Sequence, residues 1–348
     1  MPDLSGASLT LSVVLFVVAA LAILLAGTRL TGVADALADR TGLGEALVGA
    51  VLLGASTSLS GIVTSVTAAA DGRAELAISN AVGGIAAQTV FLAVADAVYR
   101  RANLEHAAAS TANLAQGTLL VGLLGIPLMA FGGPDVTLWG IHPATVLILA
   151  GYLFGLRIVS QTQTAPMWGP EPTQETQSEG EDDSEDGTTS RLSLSGLWIR
   201  FVVFALVIGI AGWVVAKTGV NIADETGLTE TFVGGILTAV VTSLPELVTS
   251  IAAVRRGALT LAVGGIIGGN AFDTIFIAFS DIAYREGSIY HAITGQQVYL
   301  ISLTVVLTGI LLLGLLRREE RGIANIGFES FLVIVLYLSS FALLIFTG

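Results

Sequence analysis

The chain contains no cysteine among its 348 residues, which excludes disulfides, thiolate metal sites and thiol catalysis. Lysine is nearly absent too: Lys217 is the only one among 15 basic residues, and charged residues make up 12% of the total. A soluble globular protein carries roughly 25%, so with 53% hydrophobic residues and a mean hydropathy of +0.82 an ordinary soluble domain is ruled out. The formal net charge is −12, yet eight acids between Glu171 and Asp186 share one stretch without Lys or Arg, leaving −4 for everything else. A negative chain with no basic cluster lacks the face needed to displace counterions from phosphates, which argues against nucleic acid as a partner. No HExxH, GxSxG or GxxxxGK[ST] occurs, so hydrolases and ATP-driven pumps find no support. His106, His142 and His291 lie in or beside loops without metal-ligand spacing. No enzyme activity and no resident cofactor are expected.

What is there is a series of long apolar runs. Crossing a hydrocarbon core of about 30 Å takes roughly 20 helical residues, and ten runs qualify, near 8–28, 45–70, 74–98, 114–133, 137–158, 195–216, 229–253, 258–283, 296–316 and 323–346. The first has no basic n-region and no convincing small-residue cleavage site, so it reads as a retained helix rather than a signal peptide. Twelve of the 15 basic residues fall in one set of alternate loops, leaving Arg73, Lys217 and Arg285 in the other. The positive-inside rule then places both termini outside a cell membrane. Residues 161–193, rich in Pro, Gly, Ser, Thr and acids, cannot bury enough apolar surface to fold. They read as a disordered cytoplasmic tether between residues 1–160 and 194–348.

Sliding the chain against itself by 185 positions aligns the 60 residues from Thr41 (about 41–100) with those from Thr226 (about 226–285), with 26 identities and no gap. This is a duplication. Each half holds five helices, an odd number, so the second copy enters the membrane from the opposite side. The expected fold is an all-α integral membrane protein of ten transmembrane helices in two inverted five-helix repeats, an architecture of secondary transporters with the substrate site near the midplane.

The repeats also hold what a midplane cation site requires. Pro245 interrupts the seventh helix and should free carbonyls between Ala239 and Ser243. Glu246 stands beside it, in the middle of some 25 residues otherwise without charge, from Thr231 to Val254. A carboxylate at that depth is costly and normally marks an ion path. Asp273 is the second such acid, on the eighth helix after Gly264, Gly265, Gly268 and Gly269, a small-residue face expected to let a neighbouring backbone approach and bring Asn270 and Asp273 toward the seventh helix.

At these residues the chain resembles the cation/calcium antiporter superfamily, in particular the sodium/calcium exchanger family, whose repeats read approximately GTSLPE followed by GNxxGSNxxN or GNxxGSNxxD. The second repeat here reads VTSLPELVTS (Val241 to Ser250) and GGIIGGNAFD (Gly264 to Asp273); the first reads STSLSGIVTS (Ser56 to Ser65) and SNAVGGIAAQ (Ser79 to Gln88). The resemblance implies Glu246 and Asp273 as ion-binding acids and Thr57, Ser58, Thr242 and Ser243 as oxygen donors. It places Gln88 at the third-helix amide or acid, and Gly54 and Ala239 as sodium-site carbonyls. It implies calcium and sodium as transported ions. The departures are specific: Gly61 replaces the first-repeat glutamate, Ser60 its proline, Gly84 and Gly269 both serines, and Ile85 an asparagine. Water is expected to fill the gap beside Gly61. With one carboxylate missing, transport of a monovalent ion, Mg2+ or a proton-coupled cation is the alternative, and a non-transporting ion-binding membrane protein a further one.

Other acids read as structural. Asp96 and Asp281 are repeat counterparts near helix ends, each followed by Tyr and Arg, and an arginine partner is expected. Glu45, Glu230 and Glu329 begin their helices, where a negative charge favours the N-terminal dipole.

Overall fold

The structure is a computed structural model that describes residues 6–41, 54–98, 108–164, 193–317 and 327–347. The core of the acidic tether, Glu45, His106 and the start of the first repeat lie outside the described residues. The regular secondary structure of those described is helical, apart from one isolated bridge between Leu138 and Ile141. The helices are α1 (Leu9–Thr41), α2 (Leu59–Ala70), α3 (Ala74–Val98), α4 (Thr111–Phe131), α5 (Pro143–Thr164) and α6 (Leu194–Thr226). They continue with α7 (Glu230–Thr242) and α8 (Leu244–Arg255), bent by 48°, then α9 (Leu259–Ala283), the short α10 (Ile289–Ala292), α11 (Gly295–Arg317) and α12 (Phe328–Thr347). Eight of these helices are long and apolar enough to cross a membrane, the bent α7–α8 pair passes the same test only when taken together, and α2 is a shorter apolar helix. The chain is thus a multi-pass membrane protein.

The offset of 185 recurs in the helix boundaries. It carries α1 onto α6, α2 onto α8 and α3 onto α9 with both ends matching, the paired lengths being 33, 12 and 25 residues. Even the breaks coincide: Ser58 (φ −89°, ψ 2°) and Ser243 (φ −98°, ψ 7°) both interrupt their helices in the sparsely populated bridge region. Because Ser60 stands where Pro245 does, the first break forms without a proline. Both short helices end at a glycine of positive φ, Gly72 (+76°) and Gly257 (+80°), a conformation that costs other residues and that glycine adopts freely.

The long helices α1 and α6 were expected to end near 28 and 216, but each runs on by about ten residues. A straight 33-residue helix spans about 50 Å, more than the hydrocarbon thickness, so both must tilt or project. They pack antiparallel: Phe16 and Ile23 meet Val215 and Ile222, Leu30 meets Ile208, and Leu37 meets Leu197. Asn221 donates to Ser12 Oγ (2.7 Å) at one end of the pair. These two counterparts therefore run in opposite directions.

Two glycine contacts set the long helices against the breaks. A Cβ on Gly27 would lie 2.5 Å from Pro245 Cγ, and one on its counterpart Gly212 would lie 2.8 Å from the Ser60 carbonyl oxygen. Each long helix thus touches the short helix of the other half at equivalent positions.

Asp96 and Asp281 were expected to pair with arginine, and the structure gives Asp281 a different role. Its carboxylate accepts from His142 N (2.8 Å), Thr145 Oγ1 (2.6 Å) and Ile289 N (3.2 Å), capping α5. Asp96 accepts from Gly327 N (3.1 Å) at the start of α12. His142 and Gly327 are themselves 185 residues apart, so the two acids cap equivalent helices of opposite halves. Glu230 departs from a pure dipole role as well: it bonds Arg73 (2.8 Å) and accepts from Leu76 N (3.2 Å), while the Thr229 side chain caps its helix.

Candidate cation site where the repeat helices cross

Asp273, 1% exposed, anchors the site. Its Oδ1 accepts from Ser58 Oγ (2.6 Å) and its Oδ2 from Gln88 Nε2 (2.6 Å); the same amide nitrogen reaches Ser243 Oγ at 3.3 Å. These bonds are symmetric under the duplication, because Ser58 corresponds to Ser243 and Gln88 to Asp273. Helices α3 and α9 cross here, and the two broken helices deliver their bridge-region serines to that crossing.

Glu246, 7% exposed, is buried in the first turn of α8. Its Oε2 has no hydrogen-bond partner among the described residues, and neither has Gln88 Oε1. Among the described residues no basic side chain pairs with either carboxylate. Two buried acids without a counter-charge are strongly unfavourable in a low-dielectric interior. A cation brought against the carboxylates would remove that penalty.

The remaining expected donors are distributed unevenly. Thr57 and Thr242 turn their hydroxyls back on the carbonyls of Gly54 (3.1 Å) and Ala239 (3.2 Å), which also accept from Ser58 N and Ser243 N. A carbonyl has two lone pairs, so the Gly54 and Ala239 oxygens expected to face a cation are engaged in this conformation. The Thr242 carbonyl is engaged too, by Ser60 Oγ (2.9 Å). Asn270 does not reach the carboxylates: its Nδ2 donates to Thr89 Oγ1 (3.2 Å), and its Oδ1 has no described partner.

Two expectations about glycine are corrected. The glycine face of α9 admits amide side chains rather than a neighbouring backbone. A Cβ on Gly264 would lie 2.8 Å from Asn113 Oδ1, one on Gly268 3.3 Å from Gln116 Nε2, and one on Gly269 3.6 Å from Gln88 Oε1. The close backbone approach occurs elsewhere, where a Cβ on Gly83 of α3 would lie 2.5 Å from Gly235 Cα in the π-helical turn Val233–Thr238. Nor is the space beside Gly61 open to water: a Cβ there would lie 2.5 Å from Phe276 Cε2. Phe276 belongs to a buried aromatic row, edge-on to Phe272, which is edge-on to Tyr152. Phe276 escaped notice in the sequence, although it lies three residues after Asp273 and so on the same helix face.

Residues 11–160 and 195–346 match the sodium/calcium exchanger protein family, and the chain belongs to that family of membrane transporters, not to an enzyme family. Among its relatives, the sodium/calcium exchanger MaX1 of Methanosarcina acetivorans is 29% identical over 147 residues, 39% of this chain and 41% of that protein. The fold is shared with the H+/Ca2+ exchanger CAX (14% identity, TM-score 0.69, covering 97% of this chain and 82% of that one). It is shared as well with the sodium-calcium exchanger NCX_Mj (19% identity, TM-score 0.58, 96% and 99%). The chain is accordingly a cation antiporter of the calcium-exchanger type.

Proposed function

We propose that this protein exchanges calcium for sodium by alternating access of two inverted five-helix repeats, ten spans in all, around a midplane site built on Glu246 and Asp273. The observation that carries the reading is the pair of buried carboxylates without a basic partner, delivered by a broken helix and a crossing helix. Their joint charge of −2 matches one Ca2+. Gln88 Oε1 and the hydroxyls of Ser58, Ser243, Thr57 and Thr242 supply or orient neutral oxygens, and Gly54 and Ala239 become sodium-facing carbonyls once the two threonine hydroxyls turn away. Asn270 holds α9 against α3 through Thr89. Residues 1–160 and 194–348 form the two repeats, both termini face outward, and the 161–193 tether is cytoplasmic. The antiparallel packing of α1 on α6, with glycine contacts to the breaks, suits a sliding pair moving across a rigid core.

The coupling ion is tested by loading proteoliposomes with sodium and following 45Ca2+ uptake. Uptake driven by the outward sodium gradient and unmoved by a pH gradient supports the reading; uptake that follows only the pH gradient overturns sodium coupling. A second reading, the same fold with a cargo other than calcium, draws on the Phe276 ring lying where a first-repeat carboxylate would stand. That leaves fewer oxygens than the six to eight calcium prefers. Competition of 45Ca2+ uptake by Mg2+ and by monovalent ions separates the two.

A further inference from the structure

Glu329 is a further carboxylate buried in the membrane-spanning bundle, beyond Glu246 and Asp273, and helix capping does not account for it. It is 4% exposed, and its Oε2 has no hydrogen-bond partner among the described residues. The duplication supplies an internal control. The counterpart of Glu329 is Ala144, at the start of α5, and that helix is capped through Asp281 with no acid at the equivalent position. Asp96 meets the start of α12 in the same manner. The fold therefore does not need a carboxylate at 329.

Its surroundings are polar on one side. Glu329, Ser330 and Val333 of α12 face Thr89 and Ala93 of α3 and Leu311 of α11 across a narrow crevice without room for a water molecule. Gly314 of α11 makes space for the side chain: a Cβ there would lie 2.5 Å from Glu329 Cγ. Thr89 Oγ1 donates to the Ile85 carbonyl (2.9 Å) and accepts from Asn270 Nδ2 (3.2 Å), and a hydroxyl keeps one further lone pair. Thr89 follows Gln88 directly, so the crevice adjoins the midplane site through Thr89 and Asn270.

We propose that Glu329, with the hydroxyls of Thr89 and Ser330, forms a second cation site that takes one monovalent metal ion such as sodium. One carboxylate balances one positive charge and falls short of a divalent ion's demand for charge and oxygens. Neutral oxygens beside the carboxylate suit a hard metal cation, whereas a proton would need the carboxylate alone. Since Ala144 replaces the acid in the mirrored half, the site occurs on one side of the protein only.

Equilibrium binding of 22Na+ to the full-length protein in detergent tests this without requiring transport, so its failure is distinct from failure of the exchange reading. In a Glu246→Gln, Asp273→Asn background a sodium-binding component is expected to remain, and adding Glu329→Gln should weaken it at least tenfold. No remaining component, or one unaffected by Glu329→Gln, overturns the site; the second result is also what a proton site would give. Should the triple variant not fold, Glu329→Gln alone is compared with wild type for the rise in Tm on adding sodium. A smaller rise supports the site, and an equal rise overturns it.

Discussion

Gln88 and Asp273 correspond to each other across the duplication and also touch, Nε2 to Oδ2 at 2.6 Å. The two residues hold equivalent positions on α3 and α9, so this contact marks where those counterpart helices meet. It also gives the buried carboxylate a polar partner in place of a positive charge.

Removing that partner should weaken both folding and binding. Gln88→Ala leaves Asp273 with Ser58 as its one remaining side-chain donor, and losing a hydrogen bond to a charged group costs about 1.5–3 kcal/mol. The ion-free protein is expected to melt at lower temperature and, because Gln88 Oε1 is lost as an ion ligand as well, the rise in Tm on adding the transported cation to be smaller than in wild type. Thermal unfolding with and without ion checks both.

At Gly61 the neighbouring Phe276 ring decides the outcome. Restoring the family's acid with Gly61→Glu should not create calcium affinity, because the new Cβ meets the Phe276 ring at 2.5 Å; overpacking of this kind costs about 1–3 kcal/mol. Gly61→Glu with Phe276→Ala opens the space and should bind calcium more tightly than either single variant. Calcium titrations of the three proteins decide it.

Asp281 should matter for stability alone. Its carboxylate satisfies two backbone N–H groups and a buried hydroxyl, and leaving buried donors unpaired costs roughly 1–3 kcal/mol each. Asp281→Ala is expected to lower Tm by several degrees while ion affinity per folded molecule stays unchanged.

Gly27 and Gly212 sit where the long helices cross the two breaks. Gly27→Ala and Gly212→Ala place a methyl against Pro245 and against the Ser60 carbonyl, which should hinder sliding more than binding. Turnover in proteoliposomes is expected to fall several-fold with little change in the half-saturating ion concentration. The opposite split would argue against these helices as the moving pair.

Much of this was legible in the sequence because membrane helices are written in long apolar runs and the duplication in a fixed offset. Glu246 and Asp273 stood out because charge is rare at that depth. What the sequence hid was lateral. A glycine looks the same whether backbone, amide or aromatic ring fills the space beside it, so the row of amides along α9 and the Phe276 ring at Gly61 could not be read. Pro245 marked one break, while its partner at Ser58 has no proline and shows only by alignment. Glu329 looked like an ordinary helix start until the equivalent helix proved to begin with Ala144.

The carboxylates bear the central claim. In sodium-loaded proteoliposomes, initial 45Ca2+ uptake is compared for wild type, Glu246→Gln and Asp273→Asn, each shown to be folded by its thermal transition. Stripping charge from a buried ion-binding group should reduce uptake by at least about tenfold in each variant. Uptake equal to wild type in either one would contradict a midplane site built on these two residues.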